Sequence, residues 1–146
     1  MSSSLPLSGT FNIHSDLTND TLCLGIAPGQ NFVGDWACNH NNDQLWHWGN
    51  CNQVGYCKLT NASNLCLGIW QASQGRGARI VGWACNNNDD QFWAQRAFAT
   101  TTCGDGQPYV VNLNSGLILG ILSASPANGA KVVQWSATQN LDQCWS

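Results

Sequence analysis

Three aspartates recur in one setting. Asp43, Asp90 and Asp142 each precede a glutamine, and each glutamine is followed two positions later by a tryptophan: Asp43-Gln44-Leu45-Trp46, Asp90-Gln91-Phe92-Trp93 and Asp142-Gln143-Cys144-Trp145. A second tryptophan stands eight residues before each glutamine, at Trp36, Trp83 and Trp135, and Asn41, Asn88 and Asn140 share one slot between the two. A carboxylate beside uncharged amides offers the donors and acceptors that suit neutral polyols. An indole adds a flat apolar face for the C–H side of a sugar ring and an N–H for a hydroxyl. The asparagine runs 39–42 and 86–88 also suit plain turns, which is the simpler reading for most of them taken singly.

Catalysis is a poor reading of the same residues. A glycosidase needs an acid of raised pKa opposite a second carboxylate. Here every repeat carries an equivalent aspartate, and Asp89-Asp90 are neighbours without an apolar pocket signal. No Gly-x-Ser-x-Gly and no Cys/His nucleophile arrangement occurs. The histidines, His14, His40 and His47, are scattered and there is no Cys-x-x-Cys, so no metal and no cofactor are expected.

A spacing kept three times marks one supersecondary unit written three times. The units span 5–50, 51–97 and 98–146, forming a single domain over 1–146. Each runs through a Leu-Gly-Ile element (Leu24-Gly25-Ile26, Leu67-Gly68-Ile69, Leu119-Gly120-Ile121), a glycine-containing turn, the platform tryptophan and the Asp-Gln-x-Trp close. Charged residues are only 9% of the chain, the net charge is -3 and every acid is aspartate. Few strong helix formers remain, and turn formers abound. Short apolar or alternating runs between Gly, Pro and Asn clusters predict about four strands per unit. Three such groups must close to avoid free edges, and three blades are too few for a propeller. The expected fold is all-β, a β-trefoil with pseudo-threefold symmetry. A weakly acidic surface with so few cations makes a poor binder of nucleic acid or anionic membranes, so neither is expected as a partner, and no apolar run is long enough to span a bilayer. The N-terminus has neither the basic nor the apolar region of a secretory signal.

The eight cysteines fit the repeat. Cys23 and Cys38 hold the same two slots as Cys66 and Cys85, and the third unit replaces both, with Ile118 and Ala137. Paired loss predicts bridges Cys23–Cys38 and Cys66–Cys85. Cys51, Cys57, Cys103 and Cys144 remain and allow three connectivities. Cys51–Cys57 across a glycine-containing turn leaves Cys103–Cys144 to tie the third unit's entry to its last strand. Disulfides place the protein in an oxidising, secreted or extracellular setting. Asn19-Asp20-Thr21 and Asn61-Ala62-Ser63 are glycosylation sequons, relevant in a eukaryotic secretory cell.

These motifs resemble the ricin B-type β-trefoil lectins, also grouped as family 13 carbohydrate-binding modules, over nearly the whole chain. The resemblance implies that the Gln-x-Trp tryptophans Trp46, Trp93 and Trp145 are core. It implies a shallow sugar pocket per unit, with Trp36, Trp83 and Trp135 stacking on the ring and Asp43, Asp90 and Asp142 taking hydroxyls. Asn41, Asn88, Gln44 and Gln91 complete the sugar-binding set, although Gln44, Gln91 and Gln143 read first as structural, with amides that hold the backbone or the site aspartates. Galactose-type sugars are the family's usual ligands. The family also places an aspartate two residues after the first cysteine, where this chain has Gly25, Gly68 and, in the matching slot of unit three, Gly120. Two readings follow. The remaining aspartates serve from the opposite wall while the glycines open room for a larger or differently placed sugar. Alternatively the sites are degenerate and the trefoil binds a protein, as a protease inhibitor or a toxin's receptor-binding component. The glycan-binding reading includes a place within a larger secreted protein or toxin. Unit three, lacking both the bridge and the asparagine cluster, reads as the weakest site. Trp70, two residues after Gly68, either extends the second site or is an exposed edge residue.

Overall fold

In the computed structural model, which describes residues 5–97, 108–138 and 140–146, the described chain is built of strands and single-turn 3-10 segments. The strands are β1 Leu22–Ile26, β2 Val33–Ala37, β3 Trp46–Gly49, β4 Lys58–Asn61, β5 Leu65–Ile69, β6 Ile80–Ala84, β7 Trp93–Ala97, β8 Pro108–Asn112, β9 Ile118–Ile121 and β10 Ala130–Trp135. Unit two shows the full plan of four strands, β4 to β7. In unit one the first strand is reduced to bridges at Phe11, His14 and Ser15, and in unit three the last is a bridge at Trp145.

The first and last strands of successive units pair in a ring: β3 with β4, β7 with β8, and Trp145 with Ser15. The ring is closed, so edge groups that would invite aggregation are paired. The middle strands form the hairpins β1–β2, β5–β6 and β9–β10. These meet one another through Asp35↔Ala130, Phe32↔Val81 and Arg79↔Val133. A six-strand ring capped by three hairpins is the β-trefoil that the spacing predicts.

The Asp-Gln-x-Trp tryptophans fill its centre. Trp46, Trp93 and Trp145 are each 0% exposed. Their indole N–H groups donate to the carbonyls of Leu24, Leu67 and Leu119 at 3.1, 2.8 and 3.2 Å. Each unit thereby locks its last strand to its Leu-Gly-Ile strand with a bond made inside the core, where an unmade one is costly. Disulfides join Cys23 to Cys38, Cys66 to Cys85 and Cys51 to Cys57. Cys144 is also in a disulfide, and its expected pairing with Cys103 lies outside the described residues.

Among the described residues, one buried carboxyl group lacks any hydrogen-bond partner. Asp35 is 0% exposed, and neither of its carboxylate oxygens has a hydrogen-bond partner. Burial pushes its carboxyl up to about 7, while the neighbouring Ser15 hydroxyl pulls the other way. That hydroxyl falls short of hydrogen-bond geometry, since it too is buried without a partner. The same slot in unit three holds Gln134, which donates to the carbonyls of Ser73 and Gly75 at 2.9 and 2.8 Å and accepts from the Ser115 hydroxyl at 2.8 Å.

Candidate functional site

Each unit builds the same cleft from a hairpin and the 3-10 turn that follows it. The glutamine is the hinge pin. Gln44, Gln91 and Gln143 are each 1% exposed. Their side-chain amides donate to the carbonyls of Ala37, Ala84 and Ser136, and their side-chain oxygens accept the N–H of Asn39, Asn86 and Thr138 at 2.8 Å in all three units. The loop after the platform tryptophan is thus pinned to the end of its own strand. A second layer repeats as well: Asn39 Oδ1, Asn86 Oδ1 and Thr138 Oγ1 accept the N–H of Asn41, Asn88 and Asn140. Asn41, Asn88 and Asn140 then open the 3-10 turns at the N-cap position. Asparagine there ordinarily caps the turn with its side chain; these three make no such bond and line the cleft instead.

The aspartate closes the floor. Oδ2 of Asp43, Asp90 and Asp142 accepts the backbone N–H of Ile26, Ile69 and Ile121 at 2.8, 3.1 and 3.2 Å. To do so it crosses over the glycine of the Leu-Gly-Ile strand. A Cβ at Gly25, Gly68 or Gly120 would lie 2.8, 2.9 or 3.1 Å from that same oxygen. The glycines therefore make room for the aspartates, and the space they leave is filled from within the protein. Burial pushes the Asp142 carboxyl above the usual carboxylate range, opposed by the Ile121 N–H and by its own backbone.

The clefts measure about 270, 320 and 270 Å³ in units one, two and three. They bring together, unit by unit, Trp36, Asn41, Asp43 and Gln44; Trp83, Asn88, Asp90 and Gln91; and Trp135, Asn140, Asp142 and Gln143. Unit three keeps the cleft although it lacks the bridge and the asparagine cluster, because Thr138 supplies the backbone and side-chain contacts of Asn39 and Asn86.

The departure falls in unit one. Trp83 and Trp135 are exposed, at 44% and 38%, but Trp36 is half-buried and its indole N–H is sealed without a partner. The cause is two positions upstream. Units two and three carry Val81 and Val133 there, lining the cleft, whereas unit one has Gly34. A Cβ on Gly34 would stand 2.7 Å from Trp36 Nε1, so the indole lies in the space a valine occupies elsewhere. Unit three covers it from the other side. Asn128 Oδ1 accepts the Ala37 N–H at 2.9 Å, and a Cβ on Gly129 would lie 3.0 Å from the Trp36 ring. Asn128 is a cleft residue that the repeat cannot reveal, since it reaches unit one from another unit. The loop residues Gln71, Ala72, Ser123 and Ala124 also line clefts, and they lie outside the slots that the repeat marks.

Among the described residues, His14 with Cys23 and Cys38 is the one cluster of metal-ligating side chains, and both sulfurs are spent in the disulfide.

A β-trefoil whose three units each carry an Asp-Gln-x-Trp turn and a tryptophan-walled cleft is the architecture of a lectin domain. The family model described as ricin-type beta-trefoil lectin domain-like matches residues 42–135, well over half of the chain. The chain belongs to that family. No curated protein matches it. Among solved structures it is similar to ThreeFoil, a designed threefold symmetric protein, at 25% identity over 94% of this chain and 96% of that one, with a TM-score of 0.83. It is similar to an exo-β-1,3-galactanase from Clostridium thermocellum at 20% identity, covering 97% of this chain but 30% of the galactanase, with a TM-score of 0.84. It is similar to the Macrolepiota procera ricin B-like lectin, solved in complex with lactose, at 14% identity over 99% and 97% of the two chains, with a TM-score of 0.77. The last two likenesses speak to the fold. Membership of a lectin family supports carbohydrate binding.

Proposed function

We propose that the protein is a non-catalytic lectin module that binds neutral glycans of the galactose or N-acetylgalactosamine type through shallow clefts, one per repeat. The observation that carries this is the threefold recurrence of one cleft in which an indole, a carboxylate and an uncommitted asparagine face a common volume. Such a site has apolar area for a pyranose face and neutral polar groups for its hydroxyls. Three weak sites on one rigid body gain avidity on a glycan-coated surface. The disulfides suit an oxidising, extracellular setting. The partial coverage of the galactanase supports a role as one module of a larger secreted protein.

A glycan array probed with the purified protein tests this. Retention of galactose-terminated glycans, lost when Trp83 and Trp135 are replaced by alanine, is the expected result. Retention of no glycan, together with capture of a tight protein partner, would overturn it in favour of a protein-interaction trefoil.

A further inference from the structure

We infer that the cleft of unit two is an extended site for at least two linked pyranose rings, with Trp70 as the contact for the second ring. The inference rests on the glycan-binding reading above. Trp70 and Trp83 are 41% and 44% exposed, and their rings meet edge to face at 74° with centroids 6.2 Å apart. Two indoles in mutual contact leave no slot to sandwich one sugar. They form a corner, and both line one cleft of about 320 Å³. A pyranose on Trp83 has Asn88 and Asp90 lining the same cleft, and the ring linked to it meets Trp70.

Trp70 is held for this position. Its backbone N–H donates to the Arg79 carbonyl at 2.9 Å and its backbone carbonyl accepts the Ser73 N–H at 3.2 Å. Phe32 of unit one stands against it at 5.4 Å, and the Arg79 guanidinium lies 4.6 Å from the Phe32 ring. The next two residues, Gln71 and Ala72, are left-handed, at φ 56 and 51. Such strain in L-residues concentrates at functional sites. A large exposed aromatic fixed by its surroundings loses little freedom on binding. The left-handed pair recurs in unit three at Ser123 and Ala124, but the exposed aromatic before it is particular to unit two, because the same position is Ala27 in unit one and Leu122 in unit three. The cleft also continues away from the corner, through Ala72, Asn88 and Asp90, into a shallow polar groove reaching Asn114.

Indole N–H signals of the 15N-labelled full chain, followed during titrations with galactose and with lactose, separate the two subsites, and calorimetry gives the affinities. The Trp83 signal is expected to move with both sugars and the Trp70 signal with lactose alone. Trp70→Leu, which installs the residue of unit three at an exposed position, is expected to weaken lactose at this site about tenfold and to leave galactose unchanged. Equal loss of both sugars, a Trp70 signal that moves with galactose, or unchanged lactose affinity would each overturn the extended site while leaving the lectin reading intact. Failure of the unaltered protein to bind either sugar would instead overturn the galactose reading, and the extended site with it.

Discussion

The glycine two residues after the first cysteine is the point where this chain departs from the resemblance read in its sequence, and the structure gives the departure a physical reason. Asp90 Oδ2 holds the Ile69 N–H from directly above Gly68, where a Cβ would come within 2.9 Å of it. An aspartate restored at position 68 would put a second carboxylate against the first, in a floor where Asp90 is only 7% exposed. Overpacking and like-charge repulsion both oppose it. Gly68→Asp is therefore expected to cost about 2 kcal/mol in urea unfolding. Adding Asp90→Asn removes the repulsion, so the double variant should recover part of that loss; additive losses would show that the two positions do not compete. Gly34 poses the opposite case. Gly34→Val fills the space under Trp36 and is expected to expose the indole, read as a rise in acrylamide quenching and as closer equivalence of the three clefts in a sugar titration. Unchanged quenching would mean that Asn128 and Gly129, and not the missing valine, hold Trp36 down.

At the scale of elements, the loops that follow β5 and β9 are built alike and differ from the loop after β1. Gln71 and Ala72, like Ser123 and Ala124, take left-handed φ between 49° and 57°. L-residues pay about 1–2 kcal/mol for that conformation, and glycine returns about 0.4–1 kcal/mol of the gain through unfolded-state entropy. Ala72→Gly is therefore expected to stabilise the protein slightly, by about 0.5 kcal/mol, raising the melting temperature by a degree or more. A drop would show that the Ala72 side chain contributes packing to the cleft. These loops also mark the boundary of what was legible in the sequence. Periodic residues such as Gln44, Gln91 and Gln143 or Trp46, Trp93 and Trp145 announce the ring and the hairpins, because each does one local job three times. The same repetition located the clefts. Contacts between units have no such signature: Asn128 bonding Ala37 and Phe32 bracing Trp70 join loops of unequal length from different copies. Nor did the sequon at Asn61 reveal its state. Asn61 is 0% exposed: its Oδ1 accepts the N–H groups of Ser63 and Leu65, and its Nδ2, the atom a glycan would take, is sealed from solvent without a partner.

For the molecule as a whole, threefold symmetry makes its own exceptions conspicuous. Where the three hairpins meet, one slot is filled by Asp35, Gly82 and Gln134. Gln134 is satisfied at both ends of its amide, and Gly82 has nothing to satisfy, but Asp35 is sealed with both oxygens unpaired. A buried carboxylate in that state favours the protonated form. Its carboxyl is raised to about 7 in the folded protein against 3.8 for an ordinary aspartate. Between those values the unfolded chain gives up the proton while the folded chain keeps it, so folding binds a proton and stability falls as pH rises. The contribution is whole below about pH 4, is lost progressively up to about pH 7 and is flat beyond, and it amounts to a few kcal/mol. Asp142, also raised by burial, acts in the same direction. Thermal melts from pH 4 to 8 are expected to show a lower melting temperature at the alkaline end, and Asp35→Asn should flatten the curve without changing the fold, since an amide of the same shape carries no charge to desolvate. Parallel curves for the two proteins would place the proton elsewhere and require that Asp35 reach a partner in the folded state.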